Sequence, residues 1–451
     1  MSKRMNRNAP HLIRLASIVW RRRGSRQAGE HLGRLRRRLA TGLGAVLLGL
    51  AALAFAGISD RAQAEFARFV AQWPYAPLLL TPAVFVAVVW LTRRIAPFAR
   101  GSGIPQVIAA SRAPQSQAAA ALVSLPTAAV KLLLTVVMLL GGASVGREGP
   151  TVQVSAAIMV KVHHYLRVPI TAGVLIAGGA AGVAAAFNTP LAGVAFAIEE
   201  LAAAYEQRVA VLVMGAVMIA GLTSLGIAGD YVYFGAMRST LGVSAVLTLA
   251  PVAGVIGGAA GGLFARLVLG FAGTQWRPVA VARSRPLLLA LGCGLVVAML
   301  GIATGGGTWG TGYGATRALV EGSGQSQWFG PAKFLAALAT TLSGAPGGIF
   351  APSLAVGAGL GNLLTGVFSS QPASAVVLLG MIAYFVGVVR APLTAVIIVM
   401  EATAARGMIL PLFATALIAD AASTLVCRER LYHGLAKPFL TLVEPKAGDR
   451  P

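Results

Sequence analysis

The chain has 451 residues, of which 57% are hydrophobic and only 11% charged, with a mean hydropathy of +0.77. A soluble globular chain carries about 25% charged residues, so this composition excludes a water-soluble domain and points to a polytopic α-helical membrane protein. The net charge of +23 fits a membrane protein better than a nucleic-acid binder, because basic residues accumulate in the cytoplasmic segments of membrane proteins.

In chain order, residues 1–38 form a basic arm carrying Arg21, Arg22, Arg23, Arg34, Arg36, Arg37 and Arg38. Such an arm suits an anionic lipid surface. The apolar run 39–58, followed by Ala62-Gln63-Ala64, imitates a signal peptide. It exceeds the roughly 7–15 residues of a signal-peptide core and is read as the first membrane helix. Further apolar segments lie near 76–92, 118–145, 168–187, 190–204, 209–228, 243–272, 286–303, 331–345, 349–368, 374–389, 391–405 and 408–427. These stretches are long and continuous rather than alternating, which excludes a membrane β-barrel. Several fall short of the roughly 20 residues that span a bilayer. With 55 Gly and 23 Pro, many helices are expected to be broken or tilted. The reading divides the chain into membrane repeats at 39–228 and 243–427 and a short tail at 428–451, with both termini cytoplasmic.

Cys293 and Cys427 are far apart, and the five histidines form no metal-ligand spacing. No metal or other cofactor is expected, and no nucleophile–base constellation suggests an enzyme.

An internal repeat organises the sequence. Lys131–Ala156 aligns without a gap on Lys333–Ala358 at an offset of 202 residues. Gly142 meets Gly344, Gly146 meets Gly348 and Pro150 meets Pro352, and the same register carries Pro190-Leu191 onto Pro392-Leu393 and Glu199 onto Glu401. A shared Gly/Ala bias does not place Lys, Pro and Glu in one register. Repeated halves are common in transporters, whose sites lie where broken helices meet at the repeat interface.

Three Gly/Pro breaks stand out: 101–105 (GSGIP), 146–150 (GREGP) and 347–352 (GGIFAP). Each can start a helix whose first N–H groups lack intrahelical partners. With the helix dipole, those groups form an anion site made of backbone, which would bind a halide without the full charge of a lysine. Ser102 adds a hydroxyl donor. Taken singly, each break also reads as an ordinary interhelical turn. Together with the repeat, they point to an anion path. The 305–314 stretch (GGGTWGTGYG) lacks the Lys-Ser/Thr ending of a phosphate loop and reads as a connection.

Acidic residues inside apolar segments are costly and tend to be functional. Glu148, Glu199, Glu200, Glu401 and Asp420 are in or beside such segments. Glu148 falls within an anion-binding break, where an ionised carboxylate can take the anion's place and leave on protonation; a salt bridge to Arg147 is the plainer alternative. The repeat match gives Glu199 and Glu401 a shared structural role. Glu200, which matches Ala402, is left as the specialised acid, a proton relay.

These motifs, with a late tyrosine in Leu431-Tyr432, resemble the CLC family of chloride channels and proton/chloride exchangers over about residues 40–440. The resemblance implies an all-α fold of two inverted repeats of tilted, broken helices with an anion path between them, assembled as a homodimer with one pore per subunit. By motif match, Ser102 (beside Gly103) and Tyr432 would donate hydroxyls to a central chloride completed by the N–H groups of Ile349 and Phe350. Glu148 would be the external gate, with the amides of Arg147 and Gly149 forming an outer anion site, and Glu200 the internal proton glutamate. Two departures stand out: Gln106 and Ile108 occupy positions where relatives carry acids. Ser102 and Tyr432 favour chloride over fluoride. The reading is therefore a secondary active chloride/proton antiporter of a bacterial inner membrane. Its partners would be chloride, protons, the lipid bilayer and a second copy of the chain. The alternative is a passive gated chloride channel.

Overall fold

The computed structural model describes residues 9–201, 207–229, 232–237, 239–274 and 276–443, with residues 9–30, 207 and 208 as backbone only. The first eight residues of the basic arm and the tail beyond 443 lie outside the described residues.

The elements are helical. Helix α1 runs from Ala9 to Gln72 without interruption. The apolar run 39–58 is thus the middle of a longer helix that passes through Ala62-Gln63-Ala64. Proline sets the start of α2 (Pro77–Ile95). Three helices follow: α3 (Ile104–Arg112), α4 (Gln117–Leu122) and α5 (Leu125–Leu140). Ser116 and Ser124 cap α4 and α5 by accepting from the N–H groups of Ala119 and Thr127, as N-cap hydroxyls do. The first half closes with α6 (Glu148–Tyr165), α7 (Ala172–Phe187), α8 (Pro190–Phe196) and α9 (Gln207–Ala228). The second half opens with α10 (Val243–Gly273), α11 (Arg277–Ser284), α12 (Pro286–Ala303) and α13 (Tyr313–Val320). It continues through α14 (Phe329–Leu342), α15 (Phe350–Thr365), α16 (Ala373–Val389), α17 (Pro392–Thr403), α18 (Ile409–Val426) and α19 (Leu431–Val443).

Among the described residues, seven helices are long and apolar enough to cross a membrane. The shorter apolar helices α7, α14, α15, α16 and α17 have 10–17 residues. Helices α7 and α16 are nonetheless buried over almost their whole length. Short broken helices at membrane depth are tolerated where protein surrounds them. Close packing needs small residues: a methyl group at Gly261 in α10 would lie 2.6 Å from the Gly387 carbonyl carbon of α16.

The repeat reappears as reciprocal contacts. Gly146 and Gly348, repeat-matched in sequence, form an isolated antiparallel bridge, N–H to carbonyl at 2.8 and 2.7 Å. Glu199 accepts from the N–H groups of Leu393 (2.9 Å) and Thr394 (2.6 Å) at the start of α17. Glu401 accepts from those of Leu191 (3.4 Å) and Ala192 (3.1 Å) at the start of α8. Each half's glutamate caps the other half's helix. Contacts of this i-to-j and j-to-i kind are what a twofold relation produces. The left-handed residues ending α7 and α16, Asn188 (φ 56°) and Arg390 (φ 63°), also match.

Candidate functional site

The three Gly/Pro breaks start α3, α6 and α15, and they meet. The Gly101 carbonyl accepts from the Gly347 N–H at 3.1 Å and from Lys131 Nζ at 2.9 Å. The Gly146–Gly348 bridge ties the other two breaks together. Glycine is required at this junction. A Cβ at Gly149 would lie 2.4 Å from Ser102 Oγ, and Gly103, which precedes α3, has φ +106°.

Ser102 and Tyr432 come from opposite ends of the chain and are both buried. Tyr432 lies in the first turn of α19, its ring centroid 5.8 Å from that of Phe350. The two hydroxyls face each other, and neither has a protein hydrogen-bond partner within ordinary range. Buried polar groups are nearly always satisfied. Two orphaned hydroxyls beside the start of α15, where Ile349 and Phe350 sit, therefore form a polar recess shaped for an acceptor. The Tyr432 hydroxyl is within electrostatic range of both Glu148 and Glu200.

Glu148 is completely buried. Its Oε2 accepts from the Ala351 N–H at 3.4 Å, so the carboxylate is seated on the N-terminus of α15. Its Oε1 accepts a hydrogen bond from the Tyr313 hydroxyl. Arg147 pairs instead with Asp60 (2.7 Å) and donates to the Ala56 carbonyl (2.8 Å). Its guanidinium lies over the rings of Tyr313 and Tyr233, 5.3 and 5.6 Å from their centroids. The Arg147 side chain thus braces the residues around Glu148, leaving its backbone at the break. On this side a cavity of about 530 Å³ is lined by Asp60, Gln63, Thr311 and Tyr313 among others.

Tyr313 shows that the 305–314 stretch is more than a connection. Gly310-Thr311-Gly312-Tyr313-Gly314 is the second half's counterpart of Gly101-Ser102-Gly103-Ile104-Pro105, displaced to an offset of 209. The φ angles agree: Gly310 +65° and Gly312 +86°, against Gly101 +64° and Gly103 +106°. Lys333 donates to the Gly310 carbonyl at 2.8 Å, as its repeat mate Lys131 does to that of Gly101. A search allowing a shifted register would have found this match.

Glu200 is buried in a π-helical turn, Ala197–Leu201, a departure from α-helix found often at functional sites. Its Oε1 is 3.3 Å from His433 Nδ1. His433 follows Tyr432 in α19, so one helix turn carries both an orphaned hydroxyl of the recess and a neighbour of the second buried acid. The sequence offered no local signal for Asp60 or His433, whose partners are distant along the chain.

Helix N-termini converging on orphaned hydroxyls, with a carboxylate seated on one of them, define a polytopic membrane protein built to handle an anion. Residues 83–424 match the family described as Voltage gated chloride channel; the chain belongs to this CLC family. It is 32% identical over 410 residues to the H(+)/Cl(-) exchange transporter ClcA of Yersinia pseudotuberculosis serotype IB (strain PB1/+), covering 85% of this chain and 80% of the relative. It is 33% identical over 414 residues to the protein of the same name from Cronobacter sakazakii (strain ATCC BAA-894), covering 84% of each. The fold is similar to that of a slow cyanobacterial Cl-/H+ antiporter, with TM-score 0.76 and 23% identity over 90% of this chain and 98% of that one. It is also similar to a CLC-type fluoride/proton antiporter, with TM-score 0.71 and 21% identity over 86% of this chain and 96% of that one.

Proposed function

We propose that this protein is a secondary active antiporter that exchanges chloride for protons. The observation that carries the reading is the Glu148 carboxylate seated on the α15 N-terminus beside the orphaned hydroxyls of Ser102 and Tyr432. A carboxylate and a halide want the same N–H donors. When Glu148 takes up a proton it loses the charge that holds it there, and chloride replaces it. The hydroxyls of Ser102 and Tyr432, with the N–H groups of Ile349 and Phe350, bind chloride at the centre. Gly103 gives the α3 start the backbone shape that holds Ser102 in place. The amides of Arg147 and Gly149 receive chloride at the outer position. Backbone and hydroxyl donors hold the ion loosely enough to release it. Glu200 exchanges protons with the opposite side, so that one face of the protein handles protons at Glu148 and the other at Glu200.

The working unit is a homodimer in a bacterial inner membrane, with both termini cytoplasmic. The protein serves as a transporter rather than as an enzyme. The H(+)/Cl(-) exchange for which the ClcA relatives are named and the paired buried acids support exchange over passive conduction. The test is the reversal potential of purified protein in liposomes under a fixed chloride gradient. It should shift when a proton gradient is imposed; a reversal potential that follows chloride alone makes the protein a channel.

A further inference from the structure

We infer that His433 is the proton-transfer residue linking Glu200 to water. This deepens the proposed exchange and rests on Glu200 being its internal proton acceptor. The Glu200 side chain is fully buried, whereas 37% of the His433 side chain is exposed. Among the described residues, neither carboxylate oxygen of Glu200 has a well-formed hydrogen bond, and the His433 ring is the one basic side chain within ion-pair distance. The Nδ1 atom is buried against Glu200 at 3.3 Å, while 37% of the side chain is left accessible. A buried acid that exchanges protons needs a carrier reaching from it to water, and imidazole carries a proton on either nitrogen near neutral pH.

The step balances simply. Imidazolium gives its Nδ1 proton to Glu200 Oε1, leaving neutral imidazole and a neutral carboxyl group, and the ring is recharged by a proton from water. In the opposite direction Glu200 returns its proton to Nδ1, and the ring releases one to water. Among the described residues, these charged groups lie near the pair. Arg430 and Glu199 lie within electrostatic range of Glu200, Arg430 donates to the Glu199 carbonyl at 3.3 Å, and on α19's own side Glu429 is neutralised by Lys437 at 2.6 Å. Placing His433 directly after Tyr432 lets a single helix turn present both the chloride hydroxyl and the proton carrier.

The experiment is paired chloride efflux and proton uptake in liposomes for wild type, His433→Ala, His433→Gln and Glu200→Gln, across pH 5.5–8, with and without added imidazole. Chloride binding by calorimetry and the elution volume of the dimer establish that each variant is folded. Both His433 variants should turn over about 100-fold more slowly and keep the wild-type proton-to-chloride ratio. Free imidazole should restore the rate of His433→Ala but not the proton flux of Glu200→Gln. Wild-type rates in the His433 variants, with proton flux lost in Glu200→Gln, would overturn the relay and leave Glu200 in place. A slow His433→Ala that imidazole does not rescue would make the ring a structural prop and equally overturn it. Coupled proton flux persisting in Glu200→Gln would instead overturn the reading of Glu200 on which this rests.

Discussion

At the scale of single residues, Glu148 sits on the N-terminus of α15, and the proposed function has it compete with chloride for the N–H donors there. Glu148→Gln removes the charge that wins that competition and leaves an amide that mimics the protonated gate. Chloride flux should continue and coupled proton movement should stop, read as simultaneous chloride efflux and proton uptake. Glu200→Gln should also stop proton flux while leaving Glu148 able to block and open the path. Tyr313 holds the carboxylate from its other oxygen. A hydrogen bond to a charged group contributes about 1.5–3 kcal/mol, and water from the adjacent cavity replaces part of it. Tyr313→Phe should therefore release the gate more readily and raise chloride turnover at neutral pH by about tenfold or less; an unchanged or slower turnover would show that the phenol does not restrain Glu148. The two acids were legible in the sequence because a carboxylate inside an apolar segment is rare. Tyr313 was not, because 30 residues separate Gly101 from Lys131 but only 23 separate Gly310 from Lys333. The repeat slips by that difference, and the motif ending in Tyr313 falls out of register.

At the scale of elements, the halves are joined by glutamates that cap each other's helices. Glu199 accepts three hydrogen bonds at the start of α17, including one from Thr394 Oγ1 at 2.7 Å, whereas Glu401 accepts two longer ones at α8. Losing an N-terminal cap costs about 0.5–2 kcal/mol. Glu199→Ala should therefore lower the thermal midpoint in detergent by more than Glu401→Ala, and neither should change the proton-to-chloride ratio. An altered ratio in Glu199→Ala would give that residue a place in proton transfer. The repeat register had already grouped Glu199 with Glu401 and set Glu200 apart. That each caps the opposite half's helix depends on a twofold packing that a sequence offset does not specify.

At the scale of the whole molecule, α9 and α18 occupy matched places in the two halves and present apolar side chains outward. Val211 is 75% exposed, Leu410 79% and Leu425 89%. Such a face suits either lipid or a second subunit, and the segments 190–204, 209–228 and 391–427 are the proposed dimer contact. Residues 202–204 within them lie outside the described residues. Deleting residues 1–30 should leave the dimer intact on cross-linking, because the contact is apolar and does not use the basic arm. Replacing Val211 and Leu425 together with Trp should shift the protein toward monomers; monomers from the arm deletion alone would place the contact in the arm.

The sequence by itself determined the membrane class, the helical breaks, the repeat and the candidate acids Glu148 and Glu200, both of which are buried, because each is written locally in hydropathy, Gly/Pro chemistry or the rarity of charge in apolar segments. It did not determine which distant residues complete the site. Asp60 reaches Arg147 across 87 positions and Tyr313 reaches Glu148 across 165. The pairing of Glu200 with His433 and the meeting of Ser102 with Tyr432 span still longer stretches of chain. Those contacts are selected by how the helices cross, and the crossings are set by glycine-sized approaches such as Gly261 on Gly387 and Gly149 on Ser102, which only the folded chain brings together.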